Sequence, residues 1–315
     1  MTNLKGVSKM RYFIAIIYCL MFCIVPVFSD NAGTNSGTFL KIAVGAEASG
    51  AGGAYTSLAG GALASYWNPA GISDIKKKEA YFYHNQWIAD IKQEFFSIAL
   101  PSKKNTAFAF SFNYLSSGNI EKTEILNKLP VDMGNFSAYS YAVSAGVSKK
   151  FNDISAGFNL KLIKEKIDSY DDQAFAFDFG INYFIKNYNL KTSLAALNLG
   201  SKIKLDKESY KLPATLKLGS NYKLEFNGIN IALCADLFKI VEEDLTFNLG
   251  SIIELPYDIS VRTGYNESFD IGKKYSLGFG KIFKMNSGSE LDINYAWIPS
   301  DISENAHNFS FCYRW

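Results

Sequence analysis

The chain has 315 residues with 32 basic and 30 acidic side chains, so its net charge of +2 provides no basic surface for nucleic acid. Aromatic residues make up 15% of the chain and proline only 7 positions, which excludes a disordered protein. Four cysteines and two histidines are too few for a disulfide framework or a histidine-rich metal centre. The sequence therefore predicts no cofactor and no metal site.

Residues 1–29 have the pattern of a secretory signal peptide. Basic residues precede an apolar run over residues 12–28, and the small residue Ser29 ends the segment. An N-terminal membrane anchor is the alternative, and the shortness of the apolar run disfavours it. Removal of this segment leaves Cys234 and Cys312, both in strand-like runs, and we expect them to be unpaired thiols.

The rest of the chain repeatedly alternates large apolar residues with small or polar ones. In the run 175–183, every odd-numbered residue is large and apolar, and every even-numbered residue is small or polar. Because successive side chains of a strand point to opposite faces, each such run predicts a strand with one apolar face. Fourteen strands are predicted in this way, at about residues 79–88, 91–100, 106–116, 136–150, 153–165, 173–185, 188–199, 214–225, 229–239, 244–254, 257–266, 273–284, 288–298 and 306–315.

The connections between these strands alternate in length. Short ones lie at 101–105, 151–152, 186–187, 226–228, 255–256 and 285–287, and long ones at 117–135, 166–172, 200–213, 267–272 and 299–305. Outer-membrane barrels alternate short periplasmic turns with long extracellular loops, and their strands need roughly 9 to 11 residues to span the bilayer. We therefore predict an all-β fold, a transmembrane antiparallel β-barrel of about 14 strands over residues 79–315, in the bacterial outer membrane. A soluble propeller or sandwich is the alternative, but no blade-like repeat supports it.

Aromatic residues alternate along the last predicted strand and share one of its faces, at Phe309, Phe311, Tyr313 and Trp315. This pattern resembles the terminal signal that the outer-membrane barrel assembly machinery reads, with Phe311, Tyr313 and Trp315 as its last three positions. An aromatic girdle at the membrane interface is a compatible explanation. The expected partners are therefore the assembly machinery, the lipid bilayer and lipopolysaccharide, and not nucleic acid.

Residues 30–78 differ from the strands because they are rich in glycine and other small residues. Glycine allows close backbone approach, so such a segment can pack inside a barrel, and we predict an N-terminal plug. Its structural and gating element is a rigid turn that begins at Trp67. In this turn we expect Asn68 to form an Asx-turn, Pro69 to fix one backbone dihedral, and Gly71 to adopt a positive φ.

Three motifs of this segment, the run 39–46 and the turns 52–55 and 67–71, resemble the N-terminal signature of the PorV/PorQ proteins. Those proteins belong to the wider group of FadL-like outer-membrane barrels, and the resemblance extends over nearly the whole mature chain. The resemblance implies a plugged barrel that either takes up apolar ligands or serves type IX protein secretion. The chain departs from the group at Glu47, where the group usually has a basic residue.

Residues with catalytic or ligand-binding chemistry are few. No nucleophile motif flanks His84 or His307, so we predict no enzymatic activity. Arg262 and Asp178 are candidate ligand contacts in the lumen, since arginine can hold a carboxylate through two hydrogen bonds. A structural ion pair of Arg262 with Asp178 or with a plug carboxylate is the alternative. The predicted lumen-facing polar residues are Asn113, Asn159, Lys161, Asp178, Asn182 and Arg262.

Two functions follow from these patterns and from the resemblance. The first is passive uptake of hydrophobic or amphipathic small molecules by a FadL-like barrel, with a hydrophobic ligand as its partner. The alternative is a PorV/PorQ-like structural or cargo-binding component of a type IX-type secretion system, with secretion-system proteins as partners. An open porin fits less well, because a plug leaves little aqueous path through the barrel.

Overall fold

The computed structural model describes residues 36–87, 91–126, 129–205, 208–241, 243–268, 273–300 and 304–315. The predicted signal peptide and the start of the predicted plug lie outside these residues. None of the helices in the described ranges is long and apolar enough to cross a membrane.

Most of the described residues belong to strands. The strands are β1 Glu79–Gln86, β2 Lys92–Pro101, β3 Thr106–Leu126, β4 Leu129–Phe151, β5 Ile154–Ile167, β6 Tyr170–Ile185, β7 Leu190–Gly200, β8 Ile203–Leu205, β9 Glu208–Tyr210, β10 Thr215–Phe226, β11 Ile229–Ile240, β12 Leu245–Leu255, β13 Ile259–Asn266, β14 Tyr275–Lys284, β15 Glu290–Ile298 and β16 Ala306–Arg314. The helices are short, and they are α1 Ala46–Gly50, α2 Ala64–Trp67 and the 3-10 turns Thr38–Lys41, Gly61–Leu63, Pro69–Ser73, Lys186–Tyr188 and Pro256–Asp258.

Fourteen of these strands close into an antiparallel barrel. Each barrel strand pairs with its neighbours along the chain, and β7 pairs with β10 because β8 and β9 form a separate two-stranded sheet in their connection. β1 and β16 complete the ring, with a register that runs from Glu79 opposite Arg314 to Gln86 opposite His307. The predicted all-β antiparallel barrel of about 14 strands is confirmed.

The barrel has an apolar outer face and a polar inner face. Large side chains at alternate strand positions are exposed on the outside, among them Phe110, Leu160, Phe175, Phe279 and Phe309. The six polar residues predicted to face the lumen, Asn113, Asn159, Lys161, Asp178, Asn182 and Arg262, are all buried. A closed ring leaves no sheet edge unpaired and this one presents apolar side chains outward, so it is a transmembrane barrel.

The predictions of long loops at 166–172 and 117–135 are wrong. At 166–172, β5 and β6 pair as far as Ile167 opposite Tyr170, which leaves a two-residue turn. The described residues of 117–135 belong to two long paired strands. β3 and β4 remain paired through this region as far as Leu126 opposite Leu129 and form a two-stranded ribbon that extends past the neighbouring strands. The ladder is irregular between Ser116 and Asn119 and again between Glu121 and Thr123. Each irregularity interrupts the period of two, so the alternation that reveals the other strands is lost here.

Asparagine supports the tight turns at one end of the barrel. Asn105, Asn152, Asn189 and Asn227 have φ values of 57°, 53°, 48° and 50°. Asparagine tolerates this left-handed region better than other residues with a side chain, because its short amide bonds locally. Asn105, Asn152 and Asn227 fall in predicted short connections, and Asn189 lies two residues beyond the connection predicted at 186–187. Local turn chemistry thus produces the compact end of the barrel.

Residues 36–78, called the inner segment below, run inside the ring of strands from one end to the other. At the end with the tight turns, Lys78 and Trp315 exchange two backbone hydrogen bonds of 3.1 Å. At the end with the long connections, the N–H of Ser36 donates to the carbonyl of Lys211 at 3.1 Å. β1 begins at Glu79, directly after this segment.

The main apolar core lies between the inner segment and the wall of β1–β3. Leu63 and Trp67 of the inner segment pack there with Tyr81, Tyr83 and Phe95 of the wall. All five side chains are buried, so the barrel is filled on this side rather than open.

Candidate functional site

Glycines on the inner face of the wall let the inner segment approach the strands closely. A Cβ atom at Gly157 would overlap the carbonyl of Pro69, and one at Gly264 would overlap the backbone nitrogen of Gly52. Similar close approaches join Gly180 to Asn68, Gly219 to Ser57, Gly250 to Ala51 and Gly278 to Gly50. The inner segment is therefore fitted against β5–β6 on one side of the lumen and β10–β14 on the other.

The turn that follows Trp67 is held by the side chain of Asn68. Its Oδ1 accepts the N–H of Ala70 at 3.1 Å, which is the expected Asx-turn, and its Nδ2 donates to Asn182 at 2.8 Å. Pro69 is the first residue of the 3-10 turn Pro69–Ser73. This geometry joins the local turn to the lumenal face of β6.

The expectation of a positive φ at Gly71 is wrong, because Gly71 is absent from the left-handed glycines of the described chain. The residue lies inside the 3-10 turn, and a Cβ atom there would overlap the carbonyl of Ala59. Glycine is needed at this position for close backbone approach rather than for its freedom of φ.

Aromatic side chains hold the stretch of the inner segment that follows its first turn. The Tyr66 hydroxyl donates to the carbonyls of Leu40 and Ile42 at 2.9 and 2.6 Å. The indole N–H of Trp67 donates to the carbonyl of Val44 at 2.8 Å. These bonds satisfy backbone oxygens that the strands cannot reach, and they fix one border of a cavity.

The cavity has a volume of about 780 Å³ and is bordered by the long connections at one end of the barrel. Its apolar lining comprises Leu40, Ile42, Trp67, Leu197, Phe238, Ile240, Leu245 and Ile298. Its charged lining comprises Lys41, Lys161, Lys217, Glu243, Asp244, Glu267, Lys273 and Lys274. A cavity of this volume has the size of a small-molecule site, and its lining combines apolar with charged side chains.

Lys217 differs from the other cavity lysines in its surroundings. Its Nζ lies 4.5 Å from the ring centroid of Trp67 and 5.1 Å from that of Phe238, which are cation–π distances. Among the described residues it has no ion pair, whereas Lys161 pairs with Asp178 at 2.9 Å. The ammonium of Lys217 is therefore available to an anionic group inside the cavity.

Sequence reasoning did not single out Lys217 or Phe238. Lys217 follows Thr215 and precedes Gly219 at alternate positions of a predicted strand, so the period of two could have placed it on the lumenal face. Phe238 lies directly opposite Lys217 in the β10–β11 hairpin, so the short predicted turn at 226–228 could have indicated that neighbour. Nothing in the sequence indicates the contact with Trp67, which belongs to the inner segment.

The structure does not join Arg262 to Asp178. Asp178 is fully buried and accepts hydrogen bonds from the Asn198 N–H at 2.8 Å and from Asn159 Nδ2 at 3.1 Å, besides its ion pair with Lys161. Arg262 lies on β13 and is 8% exposed, and its Nε and Nη1 have no hydrogen-bond partner in the described part of the chain. The idea of an Arg262–Asp178 ion pair is wrong, and a ligand role for either residue stays a prediction.

Glu47 attaches helix α1 to the closing strands of the barrel. Its carboxylate accepts the Tyr81 hydroxyl at 2.7 Å and the Ser310 hydroxyl at 2.8 Å. The residue at which this sequence departs from the PorV/PorQ pattern is thus a contact between the inner segment and the wall.

Asp74 attaches the inner segment at the end with the tight turns. Its two carboxylate oxygens pair with Lys150 at 3.0 Å and Lys191 at 2.8 Å, on β4 and β7. Burial alone would raise the pKa of Asp74, but the two ammonium groups outweigh burial and the pKa is lowered. The carboxylate is therefore ionised when it ties the segment to two strands.

The remaining predicted residues lie apart from the cavity. Phe309, Phe311, Tyr313 and Trp315 are exposed on the outer face, so they form the expected stripe, and its role in assembly stays a prediction. The ring of His84 bonds Glu94 at 2.7 Å, and that of His307 bonds Tyr295 at 2.8 Å. Cys234 and Cys312 are buried free thiols, as expected. No group of metal-binding side chains occurs among the described residues.

The fold is similar to those of solved outer-membrane channels. CymD, a monoaromatic hydrocarbon channel, superposes with a TM-score of 0.58 at 11% identity, covering 86% of this chain and 97% of that chain. The toluene transporter TodX of P. putida gives 0.56 at 11%, covering 81% and 94%. A FadL homologue of Pseudomonas aeruginosa gives 0.53 at 11%, covering 87% and 98%. At these identities the likeness shows the fold, which is a FadL/TodX-type barrel.

No family model and no curated protein matches the chain, so sequence comparison assigns it to no family. The predicted likeness to FadL-like barrels is supported at the level of the fold. The narrower PorV/PorQ assignment has no support from these comparisons and stays a prediction.

Proposed function

We propose that the protein is an outer-membrane barrel for passive uptake of hydrophobic or amphipathic small molecules. The observation that carries the proposal is the cavity of about 780 Å³ among the long connections, which combines apolar side chains with the ammonium of Lys217 over Trp67. An apolar lining binds a hydrocarbon chain or ring, and a few polar groups orient it. The structures that are similar in fold include a monoaromatic hydrocarbon channel, a toluene transporter and a FadL homologue, which agrees with this proposal.

The proposed location is the bacterial outer membrane, with the tight turns in the periplasm and the long connections outside. Outer-membrane barrels have this arrangement of connections. In this orientation the cavity opens toward the exterior, where an incoming ligand arrives. The inner segment then separates the cavity from the periplasm and acts as the plug, with the turn after Trp67 seated on the wall by Asn68.

Within this function, Lys217 is the proposed contact for the polar end of an amphipathic ligand. A carboxylate that approaches the ammonium forms a charge-assisted hydrogen bond, while the ligand's apolar part packs on Trp67 and Phe238. A neutral hydrocarbon of the same length gains only the apolar packing on Trp67 and Phe238. The cavity therefore distinguishes the two ligands through one side chain.

The test measures saturable binding of a straight-chain carboxylate and of the alcohol of equal length to the purified barrel in detergent. Lys217→Met is expected to weaken carboxylate binding about tenfold and to leave alcohol binding nearly unchanged. Lys92→Met, which removes an exposed lysine outside the cavity lining, is the matched control. Uptake of either compound into liposomes that contain the barrel completes the test, and absence of both binding and uptake would refute the proposal.

The secretion role remains the alternative that the sequence resemblance implies. No contact or cavity of the described residues favours it over uptake.

A further inference from the structure

Three lysines without an acidic partner gather at one point of the barrel rim. Lys103 and Lys104 lie in the turn between β2 and β3, and Lys149 lies on β4 directly opposite Thr106, where β3 begins. All three are exposed, and none forms an ion pair among the described residues. Other lysines at the same end do pair with carboxylates, as Lys186 does with Asp153.

Lys149 stands at the border between this charged rim and the apolar outer face. Its Nζ lies 5.1 Å from the ring centroid of Phe151, which is 53% exposed. Thr106 and Ala156 are its direct neighbours on the adjoining strands. Both are smaller than the exposed apolar side chains at the next outward positions, Phe108 and Phe158.

We propose that this patch, formed by Lys103, Lys104, Lys149 and Phe151, is a binding site for a phospholipid with a net negative headgroup. Charge complementarity supports this occupant, since clustered ammonium groups repel one another unless an anion lies among them. Continuity with the lipid-facing surface supports a lipid in particular, because Val147 and Phe108 extend the apolar face directly above the lysines. The acyl chains pack on that face while the phosphate lies between the ammonium groups.

The site is separate from the cavity, which lies at the opposite end of the barrel. It depends on the barrel crossing a membrane but not on uptake of any ligand. In the orientation proposed above, the lipid belongs to the periplasmic leaflet, and it would fix the depth and tilt of the barrel at this corner.

The test compares binding of fluorescent phosphatidylglycerol and phosphatidylcholine to the full-length mature barrel in neutral detergent micelles. The wild-type protein is expected to prefer phosphatidylglycerol, and the preference is expected to fall about fivefold for each lysine changed to glutamine among Lys103, Lys104 and Lys149. The variant in which all three become arginine is expected to keep the preference, because the positive charge remains.

The matched control is the variant in which Lys92, Lys202 and Lys204 become glutamine. These three lysines are exposed at the opposite end of the barrel, and the change lowers the net charge by the same amount as loss of the three rim lysines. This control variant is expected to bind like the wild type. An unchanged preference after loss of the three rim lysines would overturn the proposal, as would an equal loss in the control. Heat-modifiability on gels verifies that each variant is folded, and uptake measured on the same preparations separates this result from the proposed function.

Discussion

At the scale of single residues, contacts that leave no room for a side chain hold the inner segment in the barrel. The backbone of Pro69 lies against Gly157, and the backbone of Gly52 lies against Gly264. Backbone atoms cannot rotate away as a flexible side chain can, so an added methyl group must move the whole segment. These glycines therefore determine how the segment sits in the lumen.

We expect Gly157→Ala to lower the free energy of unfolding by about 1–3 kcal/mol, because the new Cβ meets the carbonyl of Pro69. Urea titration of the barrel refolded in detergent measures the change. Gly60→Ala is the control, since Gly60 has an ordinary φ of −139° and its nearest neighbours lie at 3.8 and 3.9 Å. Equal effects of the two substitutions would contradict the close fit at Gly157.

The ion pairs of Asp74 predict a dependence of stability on pH. The pKa of Asp74 is lowered in the folded protein, despite burial, by Lys191 and Lys150. A carboxyl of this kind contributes stability above its ordinary pKa, and the contribution is lost as the pH falls through the lowered folded value. We expect the wild-type Tm to fall more than that of Asp74→Asn between neutral pH and about pH 3.

Asp168→Asn is the control for this pH experiment, because Asp168 pairs with Lys122 on the exposed ribbon. Its pH dependence is expected to match that of the wild type closely. If Asp74→Asn follows the wild-type curve over the same range, the ion pairs do not stabilise the folded state.

At the scale of elements, β16 combines closure of the barrel with an aromatic outer stripe. It pairs with β1 and β15, so the ring cannot close before this strand is in place. Tyr313 and Trp315 stack on its outer face with ring centroids 5.5 Å apart. The last strand is thus both the closing element and the segment whose exposed aromatic pattern the sequence predicts.

We expect Trp315→Ser to lower the amount of assembled barrel in the outer membrane without changing the activity of the molecules that assemble. The reason is that the stripe is proposed to be read during assembly, while the finished barrel retains the backbone pairing of β16. Heat-modifiability of membrane fractions measures the assembled amount. Tyr257→Ser, which removes an aromatic residue 84% exposed in a turn at the same end, is the control. Wild-type levels of the Trp315 variant would refute the assembly role.

At the scale of the whole molecule, the inner segment packs against the wall inside the barrel, and a cavity lies toward the end with the long connections. Deletion of residues 37–71 is expected to leave a folded barrel, because the fourteen strands pair only with one another. Its conductance to small ions should rise, since the deleted residues fill the space between opposite walls. Single-channel recordings in planar bilayers measure the change.

The matched control for this deletion replaces ribbon residues 118–136 with a short turn, which removes residues outside the ring. Its conductance is expected to equal that of the wild type. If the 37–71 deletion yields a folded barrel with wild-type conductance, the inner segment does not occlude the lumen.

The sequence by itself determined the barrel, because the period of two is a local property of each strand. It also indicated which residues face the lumen, as Asn159, Asp178 and Arg262 show, since a side chain's face follows from its position in the strand. The Asx-turn at Asn68 could also be predicted from the sequence, because its hydrogen bond joins Asn68 to Ala70, only two positions away. Where the ladder shifted register, as between Ser116 and Asn119, the same reasoning failed.

Only the tertiary structure decided which of these residues meet. Asp178 pairs with Lys161 on the neighbouring strand and not with Arg262, because the curvature of the ring puts β6 and β13 on different parts of the wall. Lys217 became a candidate site residue only through its position over Trp67 of the inner segment. Such contacts join residues far apart in the chain, and their distances depend on how the closed barrel and the inner segment pack, which no local pattern encodes.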